Sequence, residues 1–194
     1  MNIDRLKPVI SPIVSLTDNE WLQLVGFVET RTLKKNKMLL SEGQVCDSIA
    51  YICCGSLIYF KALENGNDIT TDFAFEGEWV TDNYSRLNNT PSLINIKATD
   101  DCELIIIKQK DLSRIFEQIP KLEKLGRILM EQAFIKISQH SIDLQVLSAR
   151  DRYLKMLQKY PAVFQQMPLY HIANYLGIAP KSLSRIRKEF PPKP

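Results

Sequence analysis

The sequence predicts an α+β fold in which an N-terminal β-roll is joined by one long helix to a C-terminal helix-turn-helix. Short runs of alternating apolar and polar residues, separated by turn residues, fill residues 32–108 and are typical of a roll or barrel. Helical periodicity over residues 121–146 predicts the long helix, and residues 169–188 have the pattern of two short helices about a glycine. We therefore divide the chain into residues 1–117, 118–147 and 148–194.

The N-terminal region begins with a predicted helix over residues 15–30, for which Thr17 or Asp18 can serve as N-cap. The strands follow, with turn residues between them. Asn65-Gly66 predicts a tight hairpin, because both residues accept positive φ. The predicted strands are residues 32–40, 48–51, 55–62, 68–75, 93–98 and 102–108.

A helix starting at residues 111–116 precedes the long helix, which carries two lines of mainly apolar residues at helical spacing. The first line is a candidate dimer seam in which two glutamines set the register, and the second is expected to lie on the roll. On periodicity alone, both lines can equally pack inside one monomer. The first line is Leu125, Ile128, Gln132, Ile135, Gln139, Ile142 and Val146, and the second is Met130, Phe134, Ile137, Ser141 and Leu144.

Beyond a further helix over residues 149–160, Gly177 lies where the chain must turn between two helices, a position that favours a residue free to adopt positive φ. Pro180 suits the first position of the second helix, although Ala179 before it is a weak N-cap. The apolar residues of both helices form one inward stripe: Ile172, Ala173, Leu176, Ile178, Leu183 and Ile186. The outward residues of the second helix are Lys181, Ser182, Ser184, Arg185, Arg187 and Lys188.

These outward side chains are of the types that bind phosphate oxygens and guanine edges, which indicates a DNA-reading surface. The alternative is an ordinary pair of amphipathic helices with a solvated basic face. The distribution of charge favours DNA. From residue 146 onward nine Lys and Arg face two acids, a net charge of +7, which leaves −4 for the rest of a chain whose total is +3.

Composition and motifs exclude several other classes. The chain has no apolar run long enough to span a bilayer and no signal-peptide core at its N-terminus, so we expect a cytoplasmic protein without membrane contact. The cysteines at 46, 53, 54 and 102 lack metal-ligand spacing, and we interpret them as reduced packing residues. With no nucleophile–base pair, metal site or Gly-rich phosphate loop in view, the sequence predicts a protein that is not an enzyme.

Six short segments, in order along the chain, resemble the Crp/Fnr family of bacterial transcription factors, the cyclic-AMP receptor and fumarate–nitrate regulators, and in particular its short Bacteroidetes-type members. The segments are residues 39–43 (LLSEG), 73–78 (FAFEGE), 91–92 (PS), 148–154 (SARDRYL), 170–178 (YHIANYLGI) and 183–187 (LSRIR). The resemblance implies that the roll is a cyclic-nucleotide-binding-type domain, a double-stranded β-helix or jelly roll. It also implies a homodimer, with double-stranded DNA and RNA polymerase as candidate partners.

In that family each reading helix, here residues 180–189, enters the major groove in half-sites about one helical turn apart. By position, Lys181, Ser182 and Arg185 would face bases, with Arg185 the best candidate for a bidentate contact to guanine. A second group would hold phosphates or frame the helix: Tyr170, His171, Arg187 and Lys188. For His171, a plain position on the helix surface is an equal alternative.

The expected effector site departs from the family pattern. Gly77-Glu78 could hold a ribose hydroxyl, but the position at which the family neutralises the cyclic phosphate with Arg has Pro91-Ser92 instead. Arg86 in the same loop could substitute, and Ser92 and Ser138 could each offer a hydroxyl. Without the usual cation a buried phosphate loses a charge-assisted pair. We therefore expect weak or no cyclic-AMP binding, no permanent cofactor or metal, and either a different small effector or none.

After Phe190 the sequence reads PPKP, so the β-wing that often follows the reading helix is expected to be incomplete. This predicts either fewer phosphate contacts alone or weaker, more salt-sensitive binding that depends on dimerisation. The main hypothesis is a DNA-binding regulator with an effector-sensing roll. The alternative is a ligand-binding or protein-interaction module whose helix-turn-helix is structural and does not read DNA.

Overall fold

The structure, a computed structural model, describes residues 3–191. It begins with a 3-10 turn (Ile3–Leu6) and α1 (Lys7–Ile10), followed by α2 (Asp18–Val25). Thr17 caps α2 as one of the two predicted caps: its Oγ1 accepts from the Glu20 amide at 3.3 Å, and a Glu20 carboxylate oxygen accepts from the Thr17 amide at 2.7 Å.

The predicted helix over residues 15–30 is wrong in its last part, because residues 28–30 belong to strand β1 (Val28–Leu33). The alternating β-branched residues Val28, Thr30 and Thr32 pair with the last strand of the roll. Tertiary pairing therefore ends α2 at Val25, earlier than the helical pattern of the sequence suggested.

The roll consists of two four-stranded antiparallel sheets, in the orders β1-β8-β3-β6 and β2-β7-β4-β5. Their inner faces bury Ile52, Leu57, Ile96 and Leu104 almost completely. This arrangement confirms the predicted α+β fold with a β-roll. The remaining strands are β2 (Met38–Leu40), β3 (Ser48–Cys54), β4 (Ser56–Ala62), β5 (Asp68–Phe75), β6 (Trp79–Val80), β7 (Asn95–Ala98) and β8 (Cys102–Lys108).

Three local predictions in the roll are corrected by backbone geometry. The predicted strand over residues 32–40 is two strands, because Asn36 takes a positive φ of 64° in a turn between them. The hairpin at Asn65-Gly66 forms, but only Gly66 takes a positive φ, of 81°, while the Asn65 side chain accepts from the Asn67 amide. Arg86 lies on a short helix, α3 (Asn83–Asn88), and not in a loop, because Asp82 caps that helix through the Ser85 amide.

Three of the four cysteines are packing residues as predicted, whereas the prediction is wrong for Cys54. Cys46, Cys53 and Cys102 are buried and Cys54 is exposed, so Cys53 and Cys54 do face opposite sides of β3. Burial raises the pKa of the Cys102 thiol to about 11, which keeps it protonated at neutral pH. Along residues 3–191, no helix is both long and apolar enough to cross a membrane.

Helix α4 (Gln109–Gln118) leads into α5 (Lys121–Val146), which has the predicted bounds. Only the start of α5 is buried in the monomer, and most of both predicted lines remains exposed: 64% for Ile135, 74% for Val146 and 72% for Phe134. Packing of both lines inside one monomer is therefore wrong.

The second predicted line does not pack on the roll either, because polar contacts fix the rotation of α5. Lys136 pairs with Asp72 of β5 at 2.7 Å, and the His140 ring stacks on Tyr175 at 4.3 Å. The helix face that meets the roll is thus the one that carries Lys136 and His140, while Ile137 of the second line stays 65% exposed.

The C-terminal helices are α6 (Ala149–Lys159), α7 (Val163–Gln166), α8 (Leu169–Tyr175) and α9 (Pro180–Glu189). Between α8 and α9, Gly177 adopts the predicted positive φ, at 65°. Residues of the inward stripe are buried as predicted, with Ile172 and Leu183 fully inaccessible to solvent. These helices share one hydrophobic cluster with Phe73 and Phe75 of the roll, so the roll and the C-terminal helices pack together.

Candidate functional sites

Helix α9 presents one basic face to solvent. Leu183 and Ile186 anchor the opposite face in the core, with relative exposures of 0% and 8%. The N-cap Ala179 makes no side-chain hydrogen bond, whereas Pro180 at the first turn has no amide that requires one. On the outward face Lys181, Ser184, Arg185 and Lys188 are exposed, and Ser182 and Arg187 are half-buried.

The predicted reading residues differ in how firmly they are held. The Arg187 guanidinium lies 4.5 Å from the Phe164 ring centroid, so an aromatic face fixes its direction. Ser184 is committed to its own helix, because its hydroxyl donates to the Pro180 carbonyl at 3.0 Å. In the described part of the chain, Lys181, Arg185 and Lys188 form no ion pair.

Arg152, which the sequence did not single out, joins α5 to the helix-turn-helix. Its Nε donates to the Leu176 carbonyl at 2.9 Å, and its Nη1 donates to the carbonyls of Leu147 at 2.6 Å and Leu144 at 3.3 Å. These carbonyls lie at the ends of two helices, where backbone acceptors have no partner within the helix. Its position at the start of a helix was visible in the sequence, but its three acceptors were not.

Tyr170 and His171, expected at phosphates, both contact the edge strand β5. The Tyr170 hydroxyl donates to the Asp68 carbonyl at 2.8 Å, and His171 Nδ1 lies 2.7 Å from the Thr70 hydroxyl. Asn174, a residue that sequence reasoning missed, donates to the same Asp68 carbonyl at 2.7 Å. Helix α8 therefore docks on the roll of its own chain in this conformation.

Aromatic rings extend this docking contact. Tyr175 packs on Phe73 at 4.7 Å and Tyr160 packs on Phe75 at 4.8 Å between ring centroids. Burial raises the pKa of the Tyr160 and Tyr175 hydroxyls, so both stay protonated. Burial, reinforced by the nearby charge of Lys97, lowers the pKa of His171, and its imidazole is therefore neutral at pH 7.

Gly77 and Glu78 form the turn between β5 and β6, where Gly77 takes a φ of 88°. One Glu78 carboxylate oxygen accepts from the Phe75 amide at 2.9 Å, and the other lies 3.4 Å from the Tyr160 hydroxyl. Glu78 thus has partners on both oxygens, one in the roll and one in the C-terminal helices.

Ser92 is 1% exposed, and its hydroxyl donates to the Asp82 carboxylate at 2.7 Å. Asp82 is itself buried, so a negatively charged group occupies the neighbourhood in which an anionic phosphate was considered. Ser138 is half-buried on α5.

Arg86 is the predicted effector residue with the most unusual surroundings. It is only 7% exposed, and its guanidinium donates to two neutral amide oxygens, Gln109 Oε1 at 2.5 Å and Asn83 Oδ1 at 2.8 Å. Its Nε has no hydrogen-bond partner. Burial lowers the pKa of this guanidinium, as expected for a cation removed from water.

Arg86 lies on the wall of a groove of about 1170 Å³ that runs between α5 and the roll. Residues of α3, α4, α5 and α8 line it, together with residues of β5 and of the N-terminal helices. Of the five predicted effector residues, Gly77, Glu78, Ser92 and Ser138 are not among those that line the groove. The structure therefore does not bring the five together around one cavity.

Comparison with known proteins agrees with this architecture. The cyclic nucleotide-binding domain matches residues 30–119. The transcriptional activator protein anr of Pseudomonas aeruginosa is 25% identical over 197 residues, which cover 95% of this chain and 80% of that protein. The structure of FixK2 from Bradyrhizobium japonicum superposes with a TM-score of 0.72 at 14% identity and covers 84% of this chain and 83% of its own.

A Crp/Fnr-family regulator structure from Eubacterium rectale has a TM-score of 0.66 at 18% identity, covering 90% of this chain and 83% of its own. The curated relatives are regulators of transcription, a class of proteins that are not enzymes. With the roll, the long helix and the helix-turn-helix in the same order, this chain carries a cyclic nucleotide-binding domain and is similar along its length to transcriptional regulators, including a solved structure of the Crp/Fnr family.

Proposed function

We propose that the protein is a homodimeric regulator that binds specific DNA sequences with α9 in the major groove and senses a small effector with its roll. The observation that carries DNA binding is the basic face of α9, in which Lys181, Arg185 and Lys188 are exposed and unpaired within residues 3–191. A helix anchored by Leu183 and Ile186 can project these side chains as a rigid unit.

Dimerisation is supported by the apolar residues that α5 leaves in water. Ile135, Ile142 and Val146 are 64%, 52% and 74% exposed and follow the first predicted line. Large exposed apolar stripes are unusual on monomers, and a second copy of the same helix would bury them. We propose on this basis a division into a roll (1–117), a dimerisation helix (118–147) and a reader (148–194).

Cyclic AMP is a poor candidate for the effector. The Ser92 hydroxyl that its phosphate would need already donates to the Asp82 carboxylate, and no arginine occupies the position at which related proteins neutralise the phosphate. Glu78 is already bound to the Phe75 amide and would have to release it to hold a ribose. A different small effector is more consistent with this site.

Tyr170 and His171 can bind DNA phosphates only if α8 leaves β5, since both side chains bond to that strand here. Arg187 and Lys188 need no such movement. In this scheme the protein acts in the cytoplasm, with DNA and RNA polymerase as partners. The prediction of an incomplete wing rests partly on residues 192–194, which lie outside the described residues, and it stays a prediction together with its effect on affinity.

Fluorescence anisotropy with DNA selected from a random pool tests the function. Arg185→Ala is expected to lose about 1 to 3 kcal/mol on the selected sequence and little on random DNA, because it removes a base contact. Lys188→Ala should weaken both DNAs equally, since a phosphate contact carries no sequence information. Lys110→Ala, an exposed lysine of α4, is the matched control and should change neither affinity. Equal affinities of wild type and Arg185→Ala for the selected DNA would reject the proposed readout.

One observation favours a second candidate, a ligand-binding or protein-interaction module with a structural helix-turn-helix. The three side chains that α8 places on β5 make the reader part of the roll's own packing. Under this alternative, the selection would yield no enriched sequence.

A further inference from the structure

We propose that the groove beside Arg86 is a binding site for an apolar carboxylate, a fatty-acid-like monoanion whose head group pairs with Arg86 and whose hydrocarbon body lies along α5. The inference that this ligand is the effector rests on the function proposed above. Its binding, however, can be measured without DNA.

The first support is a buried charge without a counterion. Within residues 3–191 no carboxylate lies within 4.0 Å of the Arg86 guanidinium, and both of its hydrogen bonds go to neutral amides. The nearest acid in sequence, Asp82, is engaged by the Ser92 hydroxyl and the Ser85 amide. A buried cation without an anion is costly, and an anionic ligand would relieve that cost.

The second support is a pair of unpartnered donors on residues that line the groove. Among the described residues, Arg86 Nε and Trp79 Nε1 are buried without a hydrogen-bond partner, and both side chains contribute to the lining. Each of these groups can only donate a hydrogen bond. Their shared requirement is an acceptor, which the oxygens of a carboxylate supply.

The third support is the composition of the remaining wall. The lining includes the apolar side chains of Leu112 and Phe116 from α4, Leu129 and Met130 from α5, and Leu87 from α3. Ligand sites are commonly apolar with a few placed polar groups, and among the described cations of this lining Arg86 is the one that is buried and forms no ion pair. A hydrocarbon chain would bury apolar surface against these side chains.

The test uses decanoate and decan-1-ol, two probes with the same chain length and different head groups, at concentrations far below aggregation. Tryptophan fluorescence reports binding, because Trp79 lines the groove and Trp21→Phe removes the only other tryptophan. Decanoate is expected to bind at least about tenfold more tightly than decan-1-ol, the ratio that one charge-assisted hydrogen bond produces. Arg86→Gln should reduce that ratio to about one.

Two further measurements keep the test decisive if Arg86→Gln does not fold. Ala133→Phe adds a ring to the α5 wall of the groove without touching Arg86 and should abolish binding of both probes. Cyclic AMP in the same assay should give no change in Trp79 fluorescence.

Equal binding of the two probes, binding unaffected by Ala133→Phe, or tight binding of cyclic AMP alone would overturn the assignment. Wild-type protein that binds its DNA but neither probe would overturn this inference and leave the proposed function standing. Probe binding without any DNA binding would support this inference and overturn the proposed function.

Discussion

Replacement of Arg152 tests how the reader is held to the long helix. In Arg152→Ala the carbonyls of Leu144, Leu147 and Leu176 lose their donor. Two of these bonds, at 2.6 and 2.9 Å, have good length, and a hydrogen bond to a charged group contributes about 1.5 to 3 kcal/mol. Because Arg152 is half-buried and water can replace part of the loss, we expect the free energy of unfolding to fall by about 2 to 3 kcal/mol.

Urea unfolding followed by far-UV circular dichroism measures this change. Arg150→Ala is the matched control, because Arg150 is exposed and lies 4.1 Å over the Phe190 ring, a contact worth about 0.5 to 1 kcal/mol. Arg152→Lys should cost nearly as much as Arg152→Ala, since one ammonium cannot reproduce the fork that reaches separate helix ends. A loss in Arg152→Ala no larger than in Arg150→Ala would refute the assigned role.

Three other outcomes are expected. Gly55→Ala should lower the free energy of unfolding in urea by more than about 2 kcal/mol, since the new Cβ would lie 2.6 Å from a carbonyl oxygen. Gly43 also has a positive φ but open space around it, so Gly43→Ala should cost about 1 to 2 kcal/mol. Similar losses in the two variants would contradict the predicted clash at Gly55. Because the pKa of His171 is lowered in the folded state, the unfolded chain takes up a proton first as pH falls below about 6.5, and the free energy of unfolding declines from there to the folded pKa. Thermal unfolding at pH 7.5 and 5.5 should therefore show a smaller loss of stability in His171→Gln than in wild type. An equal loss in the two proteins would reject this linkage. Ile135→Glu should shift the protein to monomer in light scattering and reduce its affinity for DNA, because Ile135 lies in the proposed dimer seam of α5. A variant with the same mass as wild type would contradict this seam.

The parts of the fold that follow one local pattern could be predicted from the sequence. The bounds of β5, β8 and α5 agree with the predictions, because each segment carries a single uninterrupted periodicity. The turn at Gly177 and the buried apolar stripe that ends at Ile186 were predicted for the same reason. The helix prediction for residues 28–30 was wrong because their helical pattern competed with pairing to β8, a strand far along the chain.

The sites were less accessible to sequence reasoning because long-range contacts determine them. The basic face of α9 was visible, since one helix carries it. The docking of Tyr170 on Asp68 joins residues that lie 102 positions apart, and the amide that holds Arg86 comes from Gln109, 23 positions away. A residue-type pattern shows that Arg86 is basic, but only the packing shows that it is buried without an acid.

The salt dependence of DNA binding tests the central claim most directly. Affinity of the purified wild-type protein for its selected DNA should fall by about 100-fold between 50 and 200 mM salt if about four phosphates are neutralised. Random DNA should show a similar slope at lower affinity, because both complexes share the phosphate contacts. An affinity for DNA that is undetectable at 50 mM salt, or that does not change with salt, would contradict the account of α9 as a DNA-reading helix.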